Sequence, residues 1–278
     1  MRTLQLQSPN LSGADAALWQ QFLAGRGVLN SQADGIFGHA TDQATRAYQA
    51  ARSMAGNGIV DSATLTQAAG DGFAGLGTPG MDASVSCASL APQLPSQGIQ
   101  FVIRYYSKFS SKAVTRAEAL ALSQAGLKTV VVYQDVNNAI SFFSASLGRQ
   151  NATAALAQAA AIGQPAASTI YFAADFDPTA NEINGPLMDH FRAIGGVFAA
   201  SSTPYGIGVY GSGLLCGLMR NAGLVKYTWL SQSTGFQEWA SFRPDANLVQ
   251  SAPSRPLLTI SIDDDIAQTA DFGQFQVS

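Results

Sequence analysis

The chain has 278 residues, 12% of them charged and 47% hydrophobic, with 27 glycines, 11 prolines and 2 cysteines. That length holds one large barrel or two domains of unequal size, and the apolar content, much of it alanine and glycine, belongs to a compact globular protein and excludes disorder. With 15 basic and 18 acidic residues the net charge is −3, so no basic face is large enough to hold a phosphate backbone, and nucleic acid is not an expected partner.

Two long uncharged stretches, Gln150 to Ala174 and Ala193 to Met219, exceed the roughly 20 residues that cross a bilayer. The first carries Gln, Asn, Thr, Ser and Pro, and the second is broken by glycines and Pro204, so neither is read as a span. The amino terminus MRTLQLQSPN has no apolar stretch and no cleavage site, so no secretory signal peptide is expected. Cys87 and Cys216 form no CxxC pair, which excludes a zinc ribbon or thioredoxin-type site and leaves two buried thiols. A two-histidine metal centre would need His39 and His190 together, from what read as different domains. No metal and no cofactor are expected.

In chain order, the first 70 residues show helical spacing: Ala14, Ala17, Leu18 and Phe22 form one stripe, and Ala44, Ala47, Tyr48 and Ala51 another. Thr41 and Asp61 stand where helix N-caps are expected, giving a small three-helix domain over residues 1–70. Inside it lies a repeat: Asp34-Gly35-Ile36-Phe37 with Ala40-Thr41 recurs as Asn57-Gly58-Ile59-Val60 with Ala63-Thr64. Each copy is a tight turn followed by a helix start. The glycine-rich run GDGFAGLGTPG then predicts a linker over 71–79, forming neither helix nor strand.

From residue 80 to 278 the pattern becomes β-rich runs separated by helices. The runs are Gly80–Val85, Phe101–Ser107, Thr129–Asp135, Thr169–Asp177, Gly206–Gly211, Tyr227–Gln232, Asn247–Gln250 and Leu258–Asp263. Thr115 to Glu118 predicts a capping box opening a helix to Gly126, and further helices are expected from Asn151 to Gly163, through Met188 and Phe191, and over Leu214–Ala222. Eight strands alternating with helices predict an α/β fold, a (β/α)8 TIM-like barrel with an irregular helical ring where the last connections are short.

In such barrels the reactive residues stand at the carboxyl ends of strands. The predicted ends carry Asp82, Arg104, Tyr106, Gln134, Asp135, Asp175, Asp177, Tyr210, Ser212, Ser231, Gln232, Gln250, Asp263 and Asp265, which gives an acidic mouth. Asp175 and Asp177 are the sharpest pair: residues i and i+2 of a strand share a face, about 6.6 to 7 Å apart, and glycoside hydrolysis needs two carboxyl groups about 5 to 9.5 Å apart. Crowding and shielding by Tyr171, Phe172 and Phe176 would raise one of the two and create an acid. The alternative reading is a turn at Asp177-Pro178 with Asp175 a satisfied buried group. Asp82 and Asp263 are strand-end acids open to structural or functional roles, and Arg104 would hold a neighbouring acid ionised or form a plain salt bridge. Tyr106, Gln134, Tyr210 and Trp229 supply ring faces and amides for a sugar, with core packing as the other role of Trp229.

The segments LWQQFLAGRG, DGIFGHAT and Tyr48-Gln49 resemble the peptidoglycan-binding-like domain of bacterial wall enzymes over residues 3–69. GMDAS, FVIRYYS, TRAEALALSQAGLKTVVVYQ, STIYFAADFDP, GIGVYGSG and ISIDDDIA are together similar, over about residues 78–275, to the glycoside-hydrolase-like barrel family known as domain of unknown function 1906, a distant relative of the family-25 lysozymes. That resemblance implies a peptidoglycan-cleaving muramidase in which Asp82, Asp175 with Asp177, and Asp263 are catalytic, Asp177 standing in place of the relatives' acidic glutamate. Arg104, Tyr106, Gln134, Asp135, Tyr210, Trp229, Gln250 and Asp265 are the expected sugar-binding residues. The Asp-for-Glu change favours the competing expectation, a glycan-binding protein with an inactive barrel. Peptidoglycan is the expected partner and the cell wall the site of action, reached through phage-type lysis or injection into a neighbouring cell. Injection would imply a neutralising immunity protein, for which the residues carry no signal.

Overall fold

A computed structural model describes residues 3–73 and 77–278; linker residues 74–76 lie outside the described residues. The amino-terminal unit comprises β1 (Leu11–Ser12), α1 (Ala14–Gly25), β2 (Ile36–Phe37), α2 (His39–Ala50) and α3 (Ser62–Gly70), with β1 and β2 antiparallel. Its core gathers Leu4, Trp19, Leu23, Phe37, Tyr48 and Val60, and the Trp19 indole N–H donates to Thr45 Oγ1 at 2.9 Å.

The repeat is held by a repeated glutamine. Gln20 Nε2 donates to Asp34 Oδ1, Ile36 O and Thr41 Oγ1, while its Oε1 accepts from Gly35 N at 2.8 Å. Gln49 makes the same four bonds to Asn57 Oδ1, Ile59 O, Thr64 Oγ1 and Gly58 N. Gly35 and Gly58 both sit at φ 72°, the left-handed conformation that favours glycine. Thr41 is therefore not an N-cap: α2 begins two residues earlier, behind Gly38, and the hydroxyl belongs to the glutamine lock. Asp61 does cap α3, accepting from Thr64 N at 2.9 Å.

The barrel begins at Thr78, inside the predicted linker. Its strands are β3 (Thr78–Asp82), β4 (Phe101–Tyr106), β5 (Lys128–Tyr133), β6 (Thr169–Ala173), β7 (Gly206–Gly211), β8 (Tyr227–Leu230), β9 (Leu248–Leu257) and β10 (Ile260–Ala267). They close in the order β10-β3-β4-β5-β6-β7-β8-β9. Neighbours from β3 through β9 pair in parallel, but β10 runs antiparallel to both β9 and β3, because β9 and β10 form a hairpin. The helices are α4 (Arg116–Gln124), α5 (Ala145–Ile162), α6 (Ala180–Glu182), α7 (Met188–Ala199), α8 (Gly213–Asn221) and the short α9 (Trp239–Phe242). A 3-10 turn, Ala91–Gln97, replaces a helix between β3 and β4, so the ring is irregular, as the short connections predict. Among the described residues no helix is long and apolar enough to cross a membrane.

Strand alternation sorts the side chains. Phe101, Ile103, Tyr105, Val132, Tyr171, Ala173, Tyr210 and Trp229 fill the barrel interior, while Tyr106, Val131, Tyr133, Phe172 and Val209 face the helices. Thr115 caps α4 by accepting from Glu118 N, but the Glu118 carboxylate turns to Arg104 instead of closing the expected box; a complete capping box forms at Thr179 and Glu182.

Replacing Gln49 by Ala strands several buried partners, each costing on the order of 1–3 kcal/mol. Amide hydrogen exchange at Gly58 is expected to accelerate at least tenfold in Gln49→Ala while Gly35 keeps its protection; unchanged exchange at Gly58 would remove the lock from the account of the fold.

Candidate active site

At the carboxyl ends of the parallel strands the barrel opens into a cavity of about 110 Å³, lined by Tyr105, Gln134, Asp175, Tyr210, Trp229, Gln232, Gln250 and Asp263, with Val132 and Ala173 behind them. The antiparallel β10 places Asp263 directly opposite Asp82, the last residue of β3. Asp263 therefore reaches the mouth from the first half of its strand, not from the carboxyl end that the sequence predicts. Asp175 follows β6, four strands from β10 in either direction around the closed order. The two cavity-lining acids thus stand on opposite sides of the mouth.

Gln250 ties the floor together. Its Nε2 donates to Asp82 Oδ2 at 2.7 Å and to Asp263 Oδ2 at 3.3 Å, and its Oε1 accepts from Tyr210 Oη at 2.8 Å and Gln232 N at 3.3 Å. Tyr105 Oη donates to the other Asp82 oxygen at 2.6 Å, and Ser254 Oγ donates to Asp263 Oδ1. One level deeper, opposite Gly80, Asp265 accepts from the Trp229 indole N–H at 2.8 Å.

Burial, then the Asp263 charge, pushes the Asp82 carboxyl up to about 7. Burial, then Asp82 and Asp263, drives Asp265 far above the usual carboxylate range. Among the described residues Asp265 Oδ2 is buried with no donor to accept from. A proton on Asp265 fits that position, because the neutral carboxyl leaves no charge to bury without a partner. Asp263, half-buried, is raised by burial and then by Asp264 and Asp175, against a lowering bond from Ser254.

Several predicted site residues lie elsewhere. Arg104 and Tyr106 fall on the outer face of β4, because Tyr105 between them points inward. Arg104 is fully buried against Glu118, Nε to Oε1 2.7 Å, and Tyr106 Oη donates to Gln164 at 2.7 Å. Asp135 organises the loop after β4, accepting from Ser107 Oγ at 3.0 Å and Lys108 N at 2.8 Å. Asp177 does not share the Asp175 face, because β6 ends at Ala173 and strand alternation stops there; its carboxylate accepts from Gln237 N at 3.1 and 3.2 Å and does not line the cavity. Tyr105 and Lys112 escape the sequence reading. Counting parity back from Phe101 would have found Tyr105; Lys112, in the loop after β4, has no local signal. Lys112 Nζ sits 4.0 Å from the Tyr105 ring centroid and donates to Gln134 Oε1 at 2.7 Å, and Gln134 Nε2 in turn donates to Asp175 at 3.2 Å. The cation at the mouth is this lysine and not Arg104. Among the described residues no group of three or more His, Cys, Asp or Glu is arranged to hold a metal ion.

Comparison with known proteins bears on the family and the fold. Residues 93–276 match the family model of the Rv2525c-like, glycoside hydrolase-like domain, and residues 12–67 match that of a putative peptidoglycan binding domain. The uncharacterized Bacillus subtilis proteins YbfG and FadG are 31% and 26% identical over 219 and 216 residues, each match covering 73% of this chain. The chain spans about a third of the length of these curated relatives, 30% and 37%. The crystal structure of the Mycobacterium tuberculosis Tat-secreted protein Rv2525c with L-tartrate superposes with a TM-score of 0.62 at 25% identity, covering 72% of this chain and 99% of that one. A Bacillus stearothermophilus protein of 18% identity shares the fold, with a TM-score of 0.51 over 69% of this chain and 96% of that one.

The raised acids make stability depend on pH. A carboxyl raised on folding leaves stability intact below the unfolded value near 4, and that stability is lost as pH rises through the folded value; for Asp82 the window runs from about 4 to about 7. His190, held down at about 4 by burial, acts oppositely below its ordinary value and cancels between wild type and Asp265→Asn. From pH ~5 to ~8 wild type is expected to lose on the order of 1–3 kcal/mol more unfolding free energy than Asp265→Asn, measured by urea denaturation. Parallel profiles would refute the raised carboxyl at Asp265. By its sequence and its barrel, the chain belongs to the Rv2525c-like, glycoside hydrolase-like domain family.

Proposed function

We propose that the chain is a cell-wall glycoside hydrolase of muramidase type, its helical unit binding peptidoglycan and its barrel mouth cutting the glycan strand. The observation that carries this reading is the pair Asp175 and Asp263, lining one cavity from opposite sides of the barrel. Asp263, raised by burial, is the acid: its proton passes to the glycosidic oxygen as the bond to the anomeric carbon breaks. Asp175 faces the positive charge that develops on that carbon. Water then adds to the carbon and its proton returns to Asp263. Asp82, Tyr105 and Gln250 orient Asp263, and Lys112 and Gln134 orient Asp175. The match of residues 12–67 to a peptidoglycan binding model supports the wall as the place of action, where tethering raises the local concentration at an insoluble substrate.

A second reading, glycan binding without turnover, is favoured by one observation: Asp177, at the position of the lysozyme acid, is occupied by Gln237 N–H outside the cavity lining. Incubation with purified sacculi, counting new reducing ends, separates the two. Wild type is expected to release them, Asp263→Asn and Asp175→Asn to lose about 100-fold or more, and Asp177→Asn to lose less than tenfold. Co-sedimentation with sacculi and no new reducing ends would establish the second reading instead.

Lys112→Met tests the mouth cation. Removing it frees Gln134 and takes a positive charge from beside Asp175, so reducing-end release is expected to fall about 3- to 30-fold with the fold intact, as judged by an unchanged circular-dichroism melting curve. Release equal to wild type would show that Lys112 takes no part in positioning.

A further inference from the structure

We propose that the cleft between the helical unit and the barrel binds the free carboxylate of a small organic acid, of the class presented by a peptide carboxyl terminus. The cleft, about 250 Å³, is walled by Leu18, Gln21 and Phe22 of α1, by Phe73, and by Arg243 and Ile266 of the barrel. Gln268 also lines it, so two aromatic rings and two side-chain amides surround the Arg243 guanidinium.

The state of that guanidinium carries the inference. Among the described residues Arg243 Nε is buried and has no hydrogen-bond partner; Nη2 donates to Gln21 Oε1 at 3.2 Å, and the guanidinium carbon lies 5.8 Å from the Trp239 ring centroid. The two other enclosed arginines each have a carboxylate, Arg104 with Glu118 at 2.7 Å and Arg255 with Asp264. Arg243, half-buried, has no acidic partner among the described residues, although enclosing part of a cation without one carries a desolvation cost. Burial lowers its proton affinity accordingly. Arg26 stands beside the cleft, its guanidinium carbon 5.4 Å from the Phe22 ring centroid and its Nη2 against cleft-lining Gly72. It too has no acidic partner among the described residues. A half-buried guanidinium with a free buried Nε inside the cleft, and the exposed Arg26 beside it, neither with a carboxylate partner among the described residues, call for an anion, and planar forked donors match a carboxylate.

The probes are N-acetyl-dialanine, as L,L and D,D isomers, and the matching carboxyl-terminal amides, titrated into the full chain by calorimetry and tryptophan fluorescence, Trp239 lying against Arg243. The free acid of at least one isomer is expected to bind tenfold or more tightly than its amide. Arg243→Gln is expected to lose tenfold or more, and Arg26→Gln, at an exposed position that spares the fold, about threefold. Preference for the D,D acid identifies wall peptides as the source and preference for the L,L acid a protein tail; either supports the carboxylate site. Equal binding of acid and amide, no saturable binding, or wild-type affinity in a folded Arg243→Gln chain would overturn it. Asp175 and Asp263 do not line this cleft, so Asp263→Asn is expected to bind the probes as wild type does, which keeps failure here distinct from failure of glycan cleavage.

Discussion

The barrel closes through a strand that runs the wrong way for its class. Because β10 returns from β9 in a hairpin, its first half rises to the mouth, where the parallel strands end, and its second half descends beside the start of β3. A parallel eighth strand would carry Ile266 and Ala267 at the mouth and bury Asp263 in the depth. The reversal instead sets Asp263 opposite Asp82 and Asp265 opposite Gly80, so that alternate acids of one strand occupy two successive levels of the interior. Asp264, between them, is turned out and takes Arg255, whose Nη1 donates to Ser12 Oγ of the helical unit. One hairpin therefore supplies an acid to the mouth, an acid to the interior and a tether to the neighbouring unit.

Above the apolar layers formed by Phe101, Ile103, Tyr171 and Phe272, the interior gains polar groups toward the mouth on the side of β3, β9 and β10. Eight-stranded barrels are just wide enough for side chains to fill, so polar groups at that level must satisfy one another. Tyr105, Tyr210, Trp229 and Gln250 do so by aiming their donors at Asp82, Asp265 and each other. The side that carries Asp175 is more open and is held by a longer arm, Lys112 through Gln134. The mouth thus combines a fixed, enclosed half with an exposed half.

The class of fold, the eight strand segments and six of the cavity-lining side chains, Gln134, Asp175, Tyr210, Trp229, Gln250 and Asp263, are legible in the sequence, because each lies in or beside an apolar run whose end is marked by a polar residue. Direction and parity are not. Nothing local in ISIDDDIA says that the strand is antiparallel; that follows from the short turn at Leu258, which leaves no room for a crossover helix. On β4 every residue is buried, so burial gives no alternation to read, and Arg104 is distinguishable from an inward residue only by its ion pair with Glu118, 14 positions away. The Asp175-x-Asp177 spacing misleads for a related reason: alternation holds only while strand pairing lasts, and pairing of β6 with β7 ends at Ala173 and Tyr210. The twin glutamines of the helical unit are one step beyond the visible repeat, since they precede each turn by 15 and 9 residues.

The enclosed carboxyls bear on whether the mouth is merely inherited architecture. Asp82 and Asp265 are almost wholly buried, at 3% and 0% exposure, and both are raised far enough to hold protons that an exposed acid would release. An interior filled by apolar side chains at these two positions would avoid that desolvation, and replacements of this kind are often neutral or stabilising. Sequences break local rules of polar satisfaction chiefly where a site requires it. Here the requirement is visible in the wiring: Gln250 bonds Asp82 and Asp263 with the same amide nitrogen, so the buried acid fixes the orientation of the one that reaches the cavity. An enclosed carboxyl beneath a second carboxyl adds nothing to core closure, and the proposed hydrolase is the reading of the mouth that gives that arrangement a use.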